Sequence, residues 1–101
     1  RNVKTEVDNI VFASKREAER YVELKALERG GAIYDLELQP RYTLDVNGVH
    51  IATYVADFRY RTSKDVIKHV EDVKSPGTRT PVYRLKAKLM LAIYGIEIEE
   101  V

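Results

Sequence analysis

The stretch "VHIATYVADFRYR", Val49–Arg61, alternates with a period of two, placing Tyr54, Ala56, Phe58 and Tyr60 on one side and Val55, Asp57 and Arg59 on the other. That period marks an extended strand with one buried face. Asp57 is out of place in this aromatic surrounding, because a carboxylate there loses hydration unless a cation meets it. Either Arg59 or Arg61 could be that cation, or a bound ion could be.

Downstream, after a polar turn at "TSKD", the run "VIKHVEDVK" reads as the next strand. Side chains alternate along it, so Val70, Asp72 and Lys74 share one face and Glu71 takes the other. Two antiparallel neighbours bring Asp57 and Asp72 together. Like charges held close favour a divalent cation or one raised pKa, and a hard ion such as magnesium suits an oxygen-only set. Taken alone, Asp72 beside Lys74 is equally a surface pair contributing ~0 to 1 kcal/mol.

Upstream, Asn47-Gly48 is a hairpin signal between "RYTLDV" and Val49, and "IYDLELQP" precedes it as another extended run. Val7, Asp8-Asn9 and "IVF" form a short N-terminal hairpin. "SKRE" is a capping box in which Ser14 and Glu17 each bond the other's amide, so a helix runs from about Ser14 to Arg29 and stops at Gly30-Gly31. Glu17 falls on the sheet-facing side of that helix with Ala18, Tyr21, Val22 and Leu24, and the capping box alone could explain it. At the far end Thr80-Pro81 opens a second helix that closes at Gly95, and "IEIEEV" is a closing edge strand. Its buried stripe is Val82, Leu85, Leu89, Ala92 and Ile93. Lys86 projects within that stripe, either snorkelling to solvent or aimed at an anion such as a phosphate.

The expected architecture is α/β (α+β): hairpin, helix, three to four mostly antiparallel strands, helix, closing strand. At 101 residues, with no repeat, the chain is expected to form one domain over residues 1–101. No apolar run approaches the ~18 residues of a bilayer span, so no membrane partner is expected. The absence of cysteine removes disulfides and thiolate zinc sites and fits a cytoplasmic setting. A formal net charge of +1 supplies no global basic field, so nucleic-acid binding has to depend on local clusters or metal ions. Neither His50 nor His69 has a spacing that argues for zinc or acid–base work. The start at Arg1, with no signal-peptide pattern, leads to the expectation of a trimmed start with residues upstream.

Glu17, Asp57 and "DVK" follow one another in the order helix acid, strand-end Asp, (D/E)-x-Lys, helix. This arrangement resembles the PD-(D/E)XK nuclease superfamily, the restriction-endonuclease-like fold. A closer likeness is to a family of uncharacterised phage and prophage proteins with the pattern F-x-S-K-x-E-A…L-E-L-Q-P…Y-x-A-D-F…E-D-V-K-G. Here it reads "FASKREA", "LELQP", "YVADF" and "VEDVK" at matching spacing. The skeleton is also similar to the endonuclease subunit of some cut-and-paste transposition systems. Ala56 stands where a proline is usual, and Ser75 where a glycine is expected.

The resemblance implies that Asp57 and Asp72 hold one Mg²⁺, or Mn²⁺, with the Val73 carbonyl. Glu17 would reach the ion through water or hold a second one. Lys74 would orient the attacking water or steady charge on the scissile phosphate, with Gln39 and Lys86 as phosphate or water contacts. The implied substrate is DNA. For so small a domain this means a structure-selective endonuclease of branched or junction DNA, with a homodimer expected for a two-fold substrate. The alternative on the same fold is a catalytically inactive module that binds nucleic acid or protein.

Overall fold

The computed structural model describes residues 3–62, 66, 68–75 and 77–101. Of the expected turn at "TSKD", Thr62 is the last residue of a strand and residues 63–65 lie outside the described residues, as do the strand position Ile67 and Pro76 of the "SPGTR" loop.

A ribbon of β1 (Thr5–Val7) and β2 (Ile10–Phe12) leads into helix α1 (Lys15–Arg29). Asp8 and Asn9 form its tip with φ of 54° and 63°, the left-handed pair that a two-residue hairpin turn demands. β3 (Ile33–Leu38), β4 (Arg41–Val46), β5 (Val49–Val55), β6 (Phe58–Thr62) and β7 (His69–Asp72) follow, then α2 (Pro81–Tyr94) and a short β8 (Glu99–Glu100). The expected α/β order is therefore the observed one. Asn47 and Gly48, at φ of 52° and 79°, turn β4 into β5 as their sequence requires.

Five strands rather than three or four separate the helices among the described residues, because the run Val49–Arg61 is broken. Its first part, β5, pairs among the described residues with β4 alone; its second, β6, sits inside a four-stranded sheet of order β3-β6-β7-β8. The break at Ala56-Asp57 is fixed by a distant corner. The Gln39 amide donates to the Asp57 carbonyl (3.0 Å) and the Ala56 amide to the Pro40 carbonyl (3.1 Å). Gln39 has a φ of 51°, so this corner turns sharply just where "LELQP" meets "YVADF". The period of two survives across the break, since Tyr54, Ala56, Phe58 and Tyr60 are all buried. They enter two different cores.

One core lies under α1, where Ala18, Tyr21 and Leu24 pack on Phe12, Ile33, Phe58 and Tyr60. The other gathers Leu44, Tyr54, Ala56, Val70, Tyr83 and Met90 beneath α2. Each fully buried aromatic or aliphatic side chain contributes roughly 1.5–3 kcal/mol to this layering. α2 is rotated from its expected setting: Tyr83 and Met90 are its buried residues, Val82 and Leu85 are 61% and 55% exposed, and Ala92 is exposed as well. The stripe Tyr83, Ala87, Met90, Ile93 keeps helical spacing about one position round from the expected one, of which Leu89 and Ile93 still pack against the core. On α1, Val22 is likewise exposed.

Thr80 caps α2 by accepting from the Tyr83 amide, and Gly95 ends it in the left-handed conformation. α1 ends at Arg29, where the Gly30-Gly31 pair places its end, with Gly30 as the cap residue and the positive φ, 80°, at Gly31. The closing strand pairs parallel to β7, Glu71 opposite Glu99. No helix among the described residues is long and apolar enough to cross a membrane.

Candidate functional site

Register brings the two strand acids together. In the antiparallel pairing of β6 and β7, Phe58 faces Glu71 and Arg59 faces Val70, and just before β6 the Asp57 amide donates to the Glu71 carbonyl at 3.1 Å, which sets the Asp57 carboxyl beside that of Asp72. Asp57 is not neutralised by its neighbours in sequence. Arg59 is taken by Glu37 through two bonds of 2.7 and 2.6 Å, and Arg61 by Asp35 at 2.8 Å. Asp57 instead accepts from the Val73 amide at 2.7 Å and lies against Asp72. Burial first, and then the shared hydrogen bond and charge of Asp72, push the Asp57 carboxyl up to about 8. Two acids on this floor share less positive charge than they need.

Asp72, 6% exposed, faces the α2 side with Val70. The Tyr54 hydroxyl donates to its Oδ2 at 2.5 Å, and the Lys74 ammonium stands 3.6 Å from its Oδ1. Burial, then the bond to Asp72, raises the Tyr54 hydroxyl far above its ordinary value, so it remains a donor. Lys74 rests over the Tyr83 ring at 3.8 Å from the centroid, a cation–π contact that holds the ammonium in place. Val101 clamps this segment: the Lys74 amide donates to the Val101 carbonyl and the Val101 amide to that of Asp72.

Glu17 reaches the same place from α1. Its amide donates to the Ser14 hydroxyl at 3.1 Å, which is one half of the capping box. Among the described residues the other half, from the Ser14 amide to the Glu17 carboxylate, is not made. The carboxylate turns instead into a cleft of about 770 Å³ that Asp57, Asp72, Val73 and Lys74 also line. Burial, and then the charge of Asp72, raise its pKa. Lys86 lines a neighbouring hollow of about 320 Å³ with Thr53, Asp72, Lys74 and Tyr83, so it approaches the acid pair from the α2 side. Gln39 is exposed and does not line the cleft; its backbone serves the site by fixing Asp57.

Glu71 has a role that its position on the opposite face only half foretells. It is 1% exposed beneath α1, gripped by both arms of Arg20 at 2.8 and 2.7 Å and by the Tyr60 hydroxyl. Arg20 and the tyrosines that bond Asp72 and Glu71 carry no sequence signal at this range, since Arg20 lies 51 residues from its partner. His50 and His69 each bond a carboxylate, Asp45 and Glu99, at 2.7 Å.

Among the described residues no group of three or more His, Asp or Glu side chains is arranged to hold a metal ion. Asp57 and Asp72 form a pair, and Glu17 acts on Asp72 by charge. In donor chemistry the pair fits a magnesium-type ion, which takes oxygen ligands and usually only one or two protein carboxylates. The under-neutralised Asp57 is the group such an ion would relieve. No curated protein and no solved structure matches the chain. A family model described as "Protein of unknown function (DUF1064)" matches residues 1–98, nearly the whole length, and the chain belongs to that family.

Proposed function

We propose that the chain acts on the phosphodiester backbone of DNA through this cleft, as a Mg²⁺-dependent endonuclease that also accepts Mn²⁺. The observation that carries the reading is the pair of the half-buried Asp57, just before β6, and the buried Asp72, at the end of β7, with Lys74 held beside it at the floor of an open cleft. Asp57 and Asp72 would hold the ion, with the Val73 carbonyl, and Glu17 would reach it through water. When bound, the ion lowers the pKa of a water and withdraws charge from a phosphate oxygen. Lys74 orients the attacking water or steadies the negative charge that develops on the phosphate. Tyr54 and Tyr83 set the positions of Asp72 and Lys74, and Lys86 offers a further cation to a phosphate from the α2 side.

Among the described residues the cleft carries no recognition insert, which supports a structure-selective substrate, branched or junction DNA, met by a homodimer. A phage or prophage origin and a cytoplasmic host setting accompany this reading.

A second reading, a module on the same scaffold that binds nucleic acid or protein without cutting, rests on its own observation. No three-ligand set exists among the described residues, and Asp72 is already held by Tyr54 and Lys74. As the side chains stand, that observation favours the binding module over the enzyme.

Incubation of supercoiled and four-way-junction DNA with Mg²⁺ or Mn²⁺ separates the two. The enzyme reading expects cutting by the unaltered chain, lost in Asp72→Ala and in Lys74→Ala, with binding in Ca²⁺ retained by Lys74→Ala. DNA that is bound but left uncut with either ion establishes the second reading instead.

A further inference from the structure

Beside the acid cleft lies another hollow of about 460 Å³, lined by Arg16, Lys74, Ser75, Gly77 and Arg79. The two share Arg16, Lys74 and Ser75 and are successive stretches of one surface. Their chemistry differs sharply. Glu17, Glu19, Asp57 and Asp72 line the first together with Lys15, Arg16 and Lys74, whereas among the described residues three cations and no carboxylate line the second.

Like charges gathered around a concavity repel one another, so such a cluster is retained at a cost unless an anion enters it. Two of the cations have partial relief from outside the hollow. Lys74 leans on Asp72 and the Tyr83 ring, and Arg79 pairs with Glu100 at 2.5 Å. Arg16 has no ion pair among the described residues, and its exposed side chain lies on the first turn of α1. The floor is preset. The Thr78 hydroxyl donates to the Ser75 carbonyl at 2.7 Å and accepts from the Ser75 amide at 2.9 Å, while Gly77 takes a φ of 87° that other residues rarely adopt.

Two guanidinium forks and an ammonium over a braced turn match the fork geometry and charge of a phosphate. Because the hollow runs into the acid cleft, the phosphate it suits is one on a continuous strand. We infer that Arg16 and Arg79 bind a backbone phosphate of the nucleic acid adjacent to the one at Asp72 and Lys74, making this hollow the track along which the strand leaves the acid site. The inference rests on the nucleic-acid reading above but holds for the cutting and the non-cutting form alike.

Fluorescence anisotropy of a labelled duplex and a labelled junction, in Ca²⁺ and across a salt series, tests it on the full chain. Arg16→Gln and Arg79→Gln are each expected to weaken binding about 3- to 10-fold near 0.1 M salt and to lower the salt slope by ~0.9. Lys88→Gln, an exposed cation elsewhere on α2, is expected to change neither. Glu100→Gln is the readout that a merely structural pair would not give. It keeps an acceptor for the Tyr83 hydroxyl, releases Arg79 and is expected to tighten binding.

Arginine variants with the affinity and slope of the unaltered chain would overturn the inference, as would weaker binding in Glu100→Gln. Inorganic phosphate bound in a calorimeter and lost in Arg16→Gln, with DNA affinity untouched, would assign the hollow to a free anion instead. Cutting that survives while the arginine variants bind normally removes this inference alone; arginine effects without any cutting remove only the hydrolytic reading.

Discussion

Replacing Asp57 by asparagine is expected to make the protein more stable above neutral pH. In the folded chain the Asp57 carboxyl titrates near 8 rather than at its ordinary 3.8, through burial and the neighbouring Asp72. Between those values the folded state holds a proton that the unfolded chain has released, so raising the pH across that window favours unfolding. The stability contributed by the protonated form is fully present below about pH 4 and lost as the pH rises through about 8. Each pKa unit corresponds to about 1.4 kcal/mol, so the whole shift in a dry site would amount to about 6 kcal/mol. The open cleft above Asp57 admits water that screens the pair, which brings the expected loss to on the order of 2 kcal/mol.

Asparagine keeps an oxygen for the Val73 amide and adds an amide that can donate to Asp72, so Asp57→Asn removes the titration without removing the contact. Urea denaturation at pH 5, 7 and 8.5 measures the effect as the difference between the two proteins, in which the titrating groups away from Asp72 and Glu17 cancel. The unaltered chain should lose on the order of 2 kcal/mol relative to Asp57→Asn over that range, and millimolar Mg²⁺ should remove most of the difference. A difference that stays flat or changes sign would refute the reasoning, because it would mean that the two acids do not share a proton in the fold.

Arg20→Ala leaves the 1%-exposed Glu71 with only the Tyr60 hydroxyl and should cost about 3 kcal/mol, or ~12–24 °C in Tm; Glu71→Gln should cost less, because Arg20 can retreat to Glu23. Denaturant curves of the two variants and of the double variant check both the order and the coupling. Tyr54→Phe deletes the donor to Asp72 inside the α2 core and should cost ~1–3 kcal/mol by the same assay. Restoring the proline usual in related patterns, Ala56→Pro, removes the bond from the Ala56 amide to Pro40 and crowds a site that is 1% exposed. It should cost about 2 kcal/mol or more, read as a fall in the thermal midpoint.

Local signals carried most of the element order. Turn dipeptides, caps and the period of two each depend on residues within a few positions of one another, and Asp8-Asn9, Asn47-Gly48, Thr80-Pro81 and Gly95 all sit where such rules place them. The parity of "EDVK" was equally local, and it put Asp72 and Lys74 on the α2 face and Glu71 on the α1 face. What stayed hidden depends on distant partners. The break at Ala56-Asp57 is made by hydrogen bonds from Gln39 and to Pro40, so the strand run itself gives no warning. The rotation of α2 follows from the packing of Tyr83 against Tyr54 and from Lys74 lying on its ring, neither visible in a helix pattern that counts Val82 and Leu85 as equal candidates. For the site, sequence named the acids but not the tyrosines that hold them.

Whether Asp57 and Asp72 take up a divalent cation as a pair decides the proposed chemistry, and a calorimetric titration of the full chain with Mn²⁺ near pH 8 measures it. Saturable binding is expected that releases protons, is abolished in Asp72→Asn and strongly weakened in Asp57→Asn, and is unchanged in Glu71→Gln. Absence of binding by the unaltered chain, or binding that survives in Asp72→Asn, would contradict the proposal.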